Sequence, residues 1–286
     1  MGYEFIDNIS KISEQSLAKL TELFGDIGKL WQDAAPQYLK GAGNTLLLAV
    51  IATAAGCLIG LFCGILQTLT YKKNDVWIKK VFINIIKAVV RIYVEVFRGT
   101  PMILQAVFIF FALPYLTNNL LRFDVITAAY IVVSINTGAY MAETVRGGIL
   151  SIDKGQTEGA MAIGMNHFQT MLKVILPQTL RNIIPQIGNN LIINIKDTSV
   201  MFIIGYAELF AAHKSYVGAT YLYFPSAVVT MIMYLIMTTV CSLLLRLWEH
   251  LMDGPENFNL ATTDSLALTS GMNNFPTGSR KKRWAR

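Results

Sequence analysis

The chain has 286 residues, 53% apolar and 15% charged, with three cysteines and a net charge of +6. Soluble domains average about 25% charged residues, so this composition excludes an ordinary water-soluble domain. Cys57, Cys63 and Cys241 lie in apolar runs; an odd number in that setting gives neither a disulfide framework nor a metal-ligand spacing, and neither a metal site nor a nucleic-acid partner is expected.

Residues 1–33 read as an N-terminal amphipathic extension. Leu17, Leu20, Phe24, Ile27 and Trp31 recur at steps of three and four, one helical stripe. Lys11, Lys19 and Lys29 interleave with Glu4, Asp7, Glu14, Glu22 and Asp26. Such a helix lies on a membrane surface or docks on a transmembrane bundle. The stretch is charged throughout and lacks the compact apolar core of a cleavable leader, so none is expected.

A membrane-embedded body is expected over 34–252. Leu46 to Leu69 is an uncharged run long enough for a hydrocarbon core of about 30 Å. Its Gly56, Gly60 and Gly64, four apart, place a flat ridge on one helix face where a neighbour can approach closely. The segment 71–98 is basic, with Lys72, Lys73, Lys79, Lys80, Lys87, Arg91 and Arg98 against Asp75 and Glu95. The positive-inside rule puts it in the cytoplasm, with Val81–Val96 a helix along the membrane. Phe97-Arg98-Gly99-Thr100-Pro101 marks a helix entry, Pro101 fitting the first turn, where its missing N–H costs nothing. An apolar run to about Leu116 follows, containing Gln105; then come an outer loop, Thr117 to Asp124, and a span from about Val125 to Val145.

That span carries Asn136, Tyr140 and Glu143 on one face. A carboxylate at membrane depth costs about 2.5–3.5 kcal/mol on insertion scales, so it faces protein or water. Glu143 therefore reads either as a structural ion pair, for instance with Arg146, or as part of a permeation path. A further span, about Ile183 to Ile204, is the most polar: Gln186, Asn190, Asn194 and Asp197 form one stripe. Unpartnered buried polar groups are expensive, so the stripe lines a wet path or packs against polar neighbours. Lys196-Asp197-Thr198-Ser199 follows, its lysine and aspartate unable to face each other unless the helix loosens. Residues 205–225, rich in tyrosine, are expected outside, with His213 at the surface. The last span is about Ser226 to Leu247, with Arg246, Trp248 and His250 at its inner end.

Between the third and fourth spans lies a polar, glycine-bearing island, residues 146–181. It is expected to form two short helices. Asp153 caps the first, with Gln156 at capping-box spacing, and Gly164 ends it in the left-handed region. Asn166 caps the second, with Gln169 three residues on, and Pro177 discourages continuation beyond Leu176. Small and soft residues between the caps suit docking into another protein's groove. The tail 253–286 is polar and ends Arg280-Lys281-Lys282-Arg283, a solvated or anionic-lipid-binding segment. Gly271 and Gly278 near Lys281 lack the spacing of a phosphate loop.

Several of these stretches carry a resemblance. Glu158-Gly159-Ala160, then Gly164, then Val174-Ile175-Leu176-Pro177 is similar to the EAA loop of ABC importer permeases, with Gly159 for the first alanine and Val174 for isoleucine. Gly43-Asn44-Thr45-Leu46, FRGTP, Gly138-Ala139-Tyr140-Met141-Ala142-Glu143 with Arg146-Gly147-Gly148, and KDTS resemble, in order, the polar amino-acid branch of these permeases. The resemblance implies an all-α integral membrane protein of the type I importer fold with a cytoplasmic coupling helix, and the five expected transmembrane helices put the N-terminus outside and the C-terminus inside the cell membrane, every basic loop then falling on one face. It implies a permease subunit and not an enzyme, moving a polar or charged amino acid by alternating access. ATP and Mg would bind separate ABC ATPase subunits; a second permease subunit and an extracytoplasmic solute-binding protein would complete the assembly. The alternative reading is a non-transporting membrane receptor or scaffold that docks a cytosolic partner through the same loop.

Overall fold

The computed structural model describes residues 2–71 and 76–252, with side chains at 15–71 and 76–248. The chain divides into units Met1–Arg246 and Leu247–Arg286, and the architecture below is that of the first. The basic tail, 253–286, Lys72, Lys73 and Asp75, and the side chain of His250 lie outside the described residues.

Among the described residues every regular element is helical. Helix α1, Gly2–Thr68, is one run of 67 residues with Pro36 inside it. At 1.5 Å per residue it is about 100 Å long. The amphipathic extension is therefore continuous with the first span: Pro36 forgoes its own N–H bond without ending the helix. The docked face differs from the expected stripe. Leu30, Ala34 and Tyr38 are buried, with Ile27 beside them, whereas Leu17, Leu20, Phe24 and Trp31 stay exposed.

The glycine ridge meets α5, Val125–Leu150. A Cβ on Gly56 would sit 2.6 Å from Thr137 Cβ, one on Gly64 2.6 Å from Val145 Cγ1, and one on Gly60 would collide with Met141 Cβ. Gly138 answers from α5, where a Cβ would lie 2.7 Å from Ile59 Cγ2. The two helices thus approach backbone to side chain along about two turns, the close packing that small residues permit.

Helix α2, Trp77–Gly99, is followed by extended Thr100 and Pro101, then α3, Met102–Val107, a π turn at Phe108–Ala112, and α4, Leu113–Leu116. The axis bends by 111° at this break. Pro101 stands just before the first turn of α3 rather than in it, with ψ 135°, and its carbonyl accepts from Leu104 N at 3.0 Å.

After α5 come α6, Lys154–Ala162, and α7, His167–Thr170. A π turn, Met171–Ile175, then leads into α8, Leu176–Asp197, and a 3-10 segment, Thr198–Ile204, ending at Gly205 with φ 86°. Pro177 does not stop the helix as expected. The wide π turn just before it shifts the hydrogen-bond register, and Pro177 falls in the first turn of α8, where a missing N–H is tolerated. The KDTS run sits where α8 tightens into the 3-10 segment, and Lys196 and Asp197 line different cavities rather than facing each other.

Helices α9, Leu209–Thr220, and α10, Tyr223–Met252, complete the described chain. Among the described residues three helices are long and apolar enough to cross a membrane, within Gln15–Thr68, Val125–Leu150 and Tyr223–Trp248, and a fourth is added if the bent pair around Pro101 is one span. The α8 helix falls short of that measure because its stripe lowers its hydropathy, so a count of five remains an expectation.

Helix α9 is anchored by a residue the sequence reading passed over. Glu208 is fully buried and caps it: Oε1 accepts from Ala211 N at 2.6 Å, and Oε2 accepts from Phe210 N at 2.7 Å and Tyr234 Oη at 2.9 Å. From α1, Asn44 Nδ2 donates to Ala207 O at 2.6 Å and Thr45 Oγ1 accepts from Leu209 N at 3.2 Å. His213 is buried, not at the surface. Its Nδ1 lies 2.6 Å from Ser226 Oγ, which is also 2.6 Å from Tyr38 Oη; burial pushes the imidazole below its ordinary pKa.

Burial outweighs the donors around Glu208 and lifts its carboxyl from 4.5 to about 7. The folded protein therefore binds this proton more tightly than the unfolded chain does, and stability falls as pH rises between those two values. The expected cost of reaching neutral pH is on the order of 3 kcal/mol. The thermal midpoint of the purified protein should be higher at acid than at neutral pH, and Glu208→Gln should flatten that dependence.

Candidate functional site

The sharp corner at Thr100 and Pro101 is held from two sides. Gln105 Nε2, reaching back from α3, donates to Phe97 O at 2.9 Å and to Thr100 O and Oγ1 at 3.0 Å. Asn136 Nδ2, from α5, donates to Phe97 O at 3.1 Å and to Gln105 Oε1 at 3.0 Å. Both amides are buried. A corner exposes carbonyls that no helix satisfies, and these two side chains satisfy them. Asn136, expected along a path, has its amide committed to this brace. Gln105→Leu is expected to cost about 2–3 kcal/mol by leaving Phe97 O and Asn136 short of partners. Thermal unfolding checks it, and Asn136→Ala added to it should cost less than the sum of the two alone.

The corner forms one wall of a recess of about 480 Å³, lined there by Arg98, Gly99, Thr100, Pro101, Asn136 and Tyr140. The facing wall is α8, with Asn190, Asn194 and Asp197. Asn194 is a clamp: its Nδ2 donates to Thr53 Oγ1 at 2.7 Å and Thr137 Oγ1 at 2.9 Å, tying α1, α5 and α8. Asn190 Nδ2 donates to Gln186 O at 2.9 Å. The stripe thus packs against polar neighbours and also borders a cavity.

Not every expected residue reaches this recess. Thr198 is buried, donating to Ile195 O at 3.0 Å. Ser199 and Lys196 line a different, largely apolar cavity beside Phe210 and Tyr234, and Gln186 lines neither. Glu143 pairs with Arg98, not with Arg146, and faces an adjoining smaller recess that Arg98 also lines. About three helical turns separate Asn136 from Arg146 along α5, but the α2 corner turns the Arg98 guanidinium, not the local arginine, onto the carboxylate. Arg98 also lies 5.3 Å from the centre of the Tyr140 ring, a cation–π contact. The recess therefore has the Arg98 guanidinium, paired with Glu143, and the Tyr140 ring on one wall and the Asp197 carboxylate on the other. Among the described residues no three His, Cys, Asp or Glu side chains converge.

The second constellation is the hairpin. Asp153 caps α6 with a single bond, Oδ1 accepting from Gly155 N at 2.6 Å. Gln156 does not complete a capping box; its Oε1 accepts from Gln178 Nε2 at 3.3 Å and ties α6 to α8. At the other end Gly164 has φ +87°, its N–H donating to Met161 O at 3.0 Å while Met165 N donates to Ala160 O at 3.1 Å. That pair of bonds is the Schellman stop. Asn166 and Gln169 form the full reciprocal box at the start of α7. Ala160 is buried, but Met161, Ile163 and Phe168 are exposed, Ile163 to 80%. Glu158 and Gly159 are also exposed on α6. A capped turn thus holds out apolar side chains that no other described residue covers.

A family described as the inner membrane component of binding-protein-dependent transport systems matches residues 80–254. The glutamine transport system permease protein of Escherichia coli (strain K12) is 39% identical over 227 residues, which are 79% of this chain and 97% of that protein. A probable amino-acid permease protein of Bacillus subtilis (strain 168) is 33% identical over 78% of this chain and 94% of its own length. Among solved structures, an amino acid ABC transporter crystallised with histidines is 33% identical with a TM-score of 0.66, covering 76% of this chain and 94% of that one.

Proposed function

We infer that this chain, which belongs to the family of inner membrane components of binding-protein-dependent transport systems, is the permease subunit of an ABC importer for amino acids. Relatives named for glutamine and arginine transport support that class, and the receptor or scaffold reading is not favoured by them. The observation that carries the mechanism is the capped hairpin with exposed Met161, Ile163 and Phe168. We assign it to docking of a separate ATPase subunit that supplies ATP and Mg chemistry, with Asp153, Gln156, Glu158, Gly159, Ala160, Gly164 and Pro177 shaping the docked surface.

On this reading the hairpin lies in the cytoplasm, with the N-terminus outside and the C-terminus inside, because the basic segments then share one face. A second permease subunit, identical or related, and an extracytoplasmic binding protein complete the assembly. Nucleotide-driven closure of the ATPases moves the hairpin as a rigid piece, and the helices rock about the central recess. There Arg98, its charge shared with Glu143, would meet the cargo's carboxylate and Asp197 its amino group. The test is accumulation of labelled amino acids, glutamine and arginine first, in vesicles holding the permease, its ATPase and its binding protein. ATP-dependent accumulation is the expected result. Stable assembly with hydrolysis but no accumulation of any of the twenty amino acids would overturn it.

A further inference from the structure

Beside the recess facing Asp197 lies a second, smaller one of about 200 Å³ between α1, α2 and α5. Helix α2 supplies Lys87, Arg91, Glu95 and Arg98, at steps of four, four and three and so on one face; α5 supplies Glu143 and Arg146, and α1 supplies Gln67. Arg98 and Glu143 neutralise each other. The side chains of Lys87, Arg91 and Arg146 have no hydrogen-bonding or ionic partner among the described residues, which leaves three cations against the single carboxylate of Glu95. Like charges four apart on a helix repel, and here a third converges on them from a neighbouring helix.

We propose that this recess binds a phosphate-type oxyanion, held by Lys87, Arg91 and Arg146. A tetrahedral oxyanion offers several acceptors, so the two guanidinium forks and the ammonium can each find an oxygen, while Gln67 can donate from α1. A basic flank on a membrane helix is ordinary; what sets this one apart is that the cations surround a cavity rather than fan into solvent. Two sources carry the same chemistry, the headgroup of an anionic lipid and a soluble phosphate.

The experiment uses the full chain with its ATPase partner in lipid nanodiscs. One arm counts phosphatidylglycerol retained by native mass spectrometry from discs of mixed phosphatidylglycerol and phosphatidylcholine. The other titrates inorganic phosphate into phosphatidylcholine discs by calorimetry. Lys87→Gln with Arg91→Gln is expected to weaken binding about tenfold or more, and Lys79→Gln with Lys80→Gln, which removes equal charge from the same helix outside the cavity, should change it little. Loss in the first arm alone assigns the site to lipid; loss in the second assigns it to a soluble anion. Equal loss in both double variants, or no loss in either, overturns the proposal. Lys87→Arg with Arg91→Lys keeps the charge and should retain binding, which separates ligation from misfolding. Neither arm needs cargo or ATP, so its failure is distinct from failure of the transport reading.

Discussion

Gly164→Val is expected to lower ATP-driven uptake at least about tenfold while the protein still folds and reaches the membrane. A left-handed backbone costs an ordinary residue about 1–2 kcal/mol, and a β-branched one at φ +87° is a genuine outlier. Nothing lies within 4 Å of a Cβ built there, so the damage is to the backbone and not to packing. The Schellman bonds from Gly164 N and Met165 N would be lost, and the end of α6 that holds out Met161 and Ile163 would swing. The core is remote from this turn, so thermal stability should change far less than uptake. Gly164→Asn, which tolerates the same backbone, should keep most of the activity. Equal uptake by the valine variant would remove the hairpin from the coupling path.

Gly60→Val should act in the opposite sense, through stability first. A side chain there collides with Met141 Cβ and comes within 2.8 Å of Ala142 N. Met141 is fully buried and Ala142 N is backbone, so neither can step aside. Overpacking of this kind costs about 1–3 kcal/mol, and two neighbouring ridge positions, Gly56 and Gly64, resist any sliding of the helix pair. The expected result is a lowered thermal midpoint and a loss of monodisperse protein in detergent. Gly28→Ala on the same helix meets nothing within 4 Å and should be neutral or slightly stabilising, since alanine favours helix over glycine. Equal behaviour of the two variants would contradict the close α1–α5 approach.

What could be read in advance was what depends on near neighbours in the chain. The ridge of Gly56, Gly60 and Gly64 is a spacing, and the box at Asn166 and Gln169 and the stop at Gly164 are hydrogen-bond patterns within a turn. What escaped depends on distant partners. The burial of Glu208 and His213 follows from α9 folding back onto Asn44, Thr45 and Tyr38, well over a hundred residues earlier. The docked face of the extension is chosen by Leu209, Ala212 and Tyr216, so the stripe through Leu17 and Phe24 pointed at a face that no described residue covers. Glu143 pairs with Arg98 although Arg146 is nearer in the sequence, because the chain does not show the turn that delivers Arg98. Pro177 does not end the helix because the π turn before it, which has no sequence signature, shifts the hydrogen-bond register. The recess itself joins α2, α5 and α8, and only the residues on its walls, not their meeting, were legible.

The most direct test of the docking claim is thiol labelling of Ile163→Cys, with the three native cysteines replaced by alanine. A membrane-impermeant reagent should reach this position only from the cytoplasmic side, and adding the ATPase subunit should protect it. Labelling from the outer side, or equal labelling with and without the ATPase, would contradict the account.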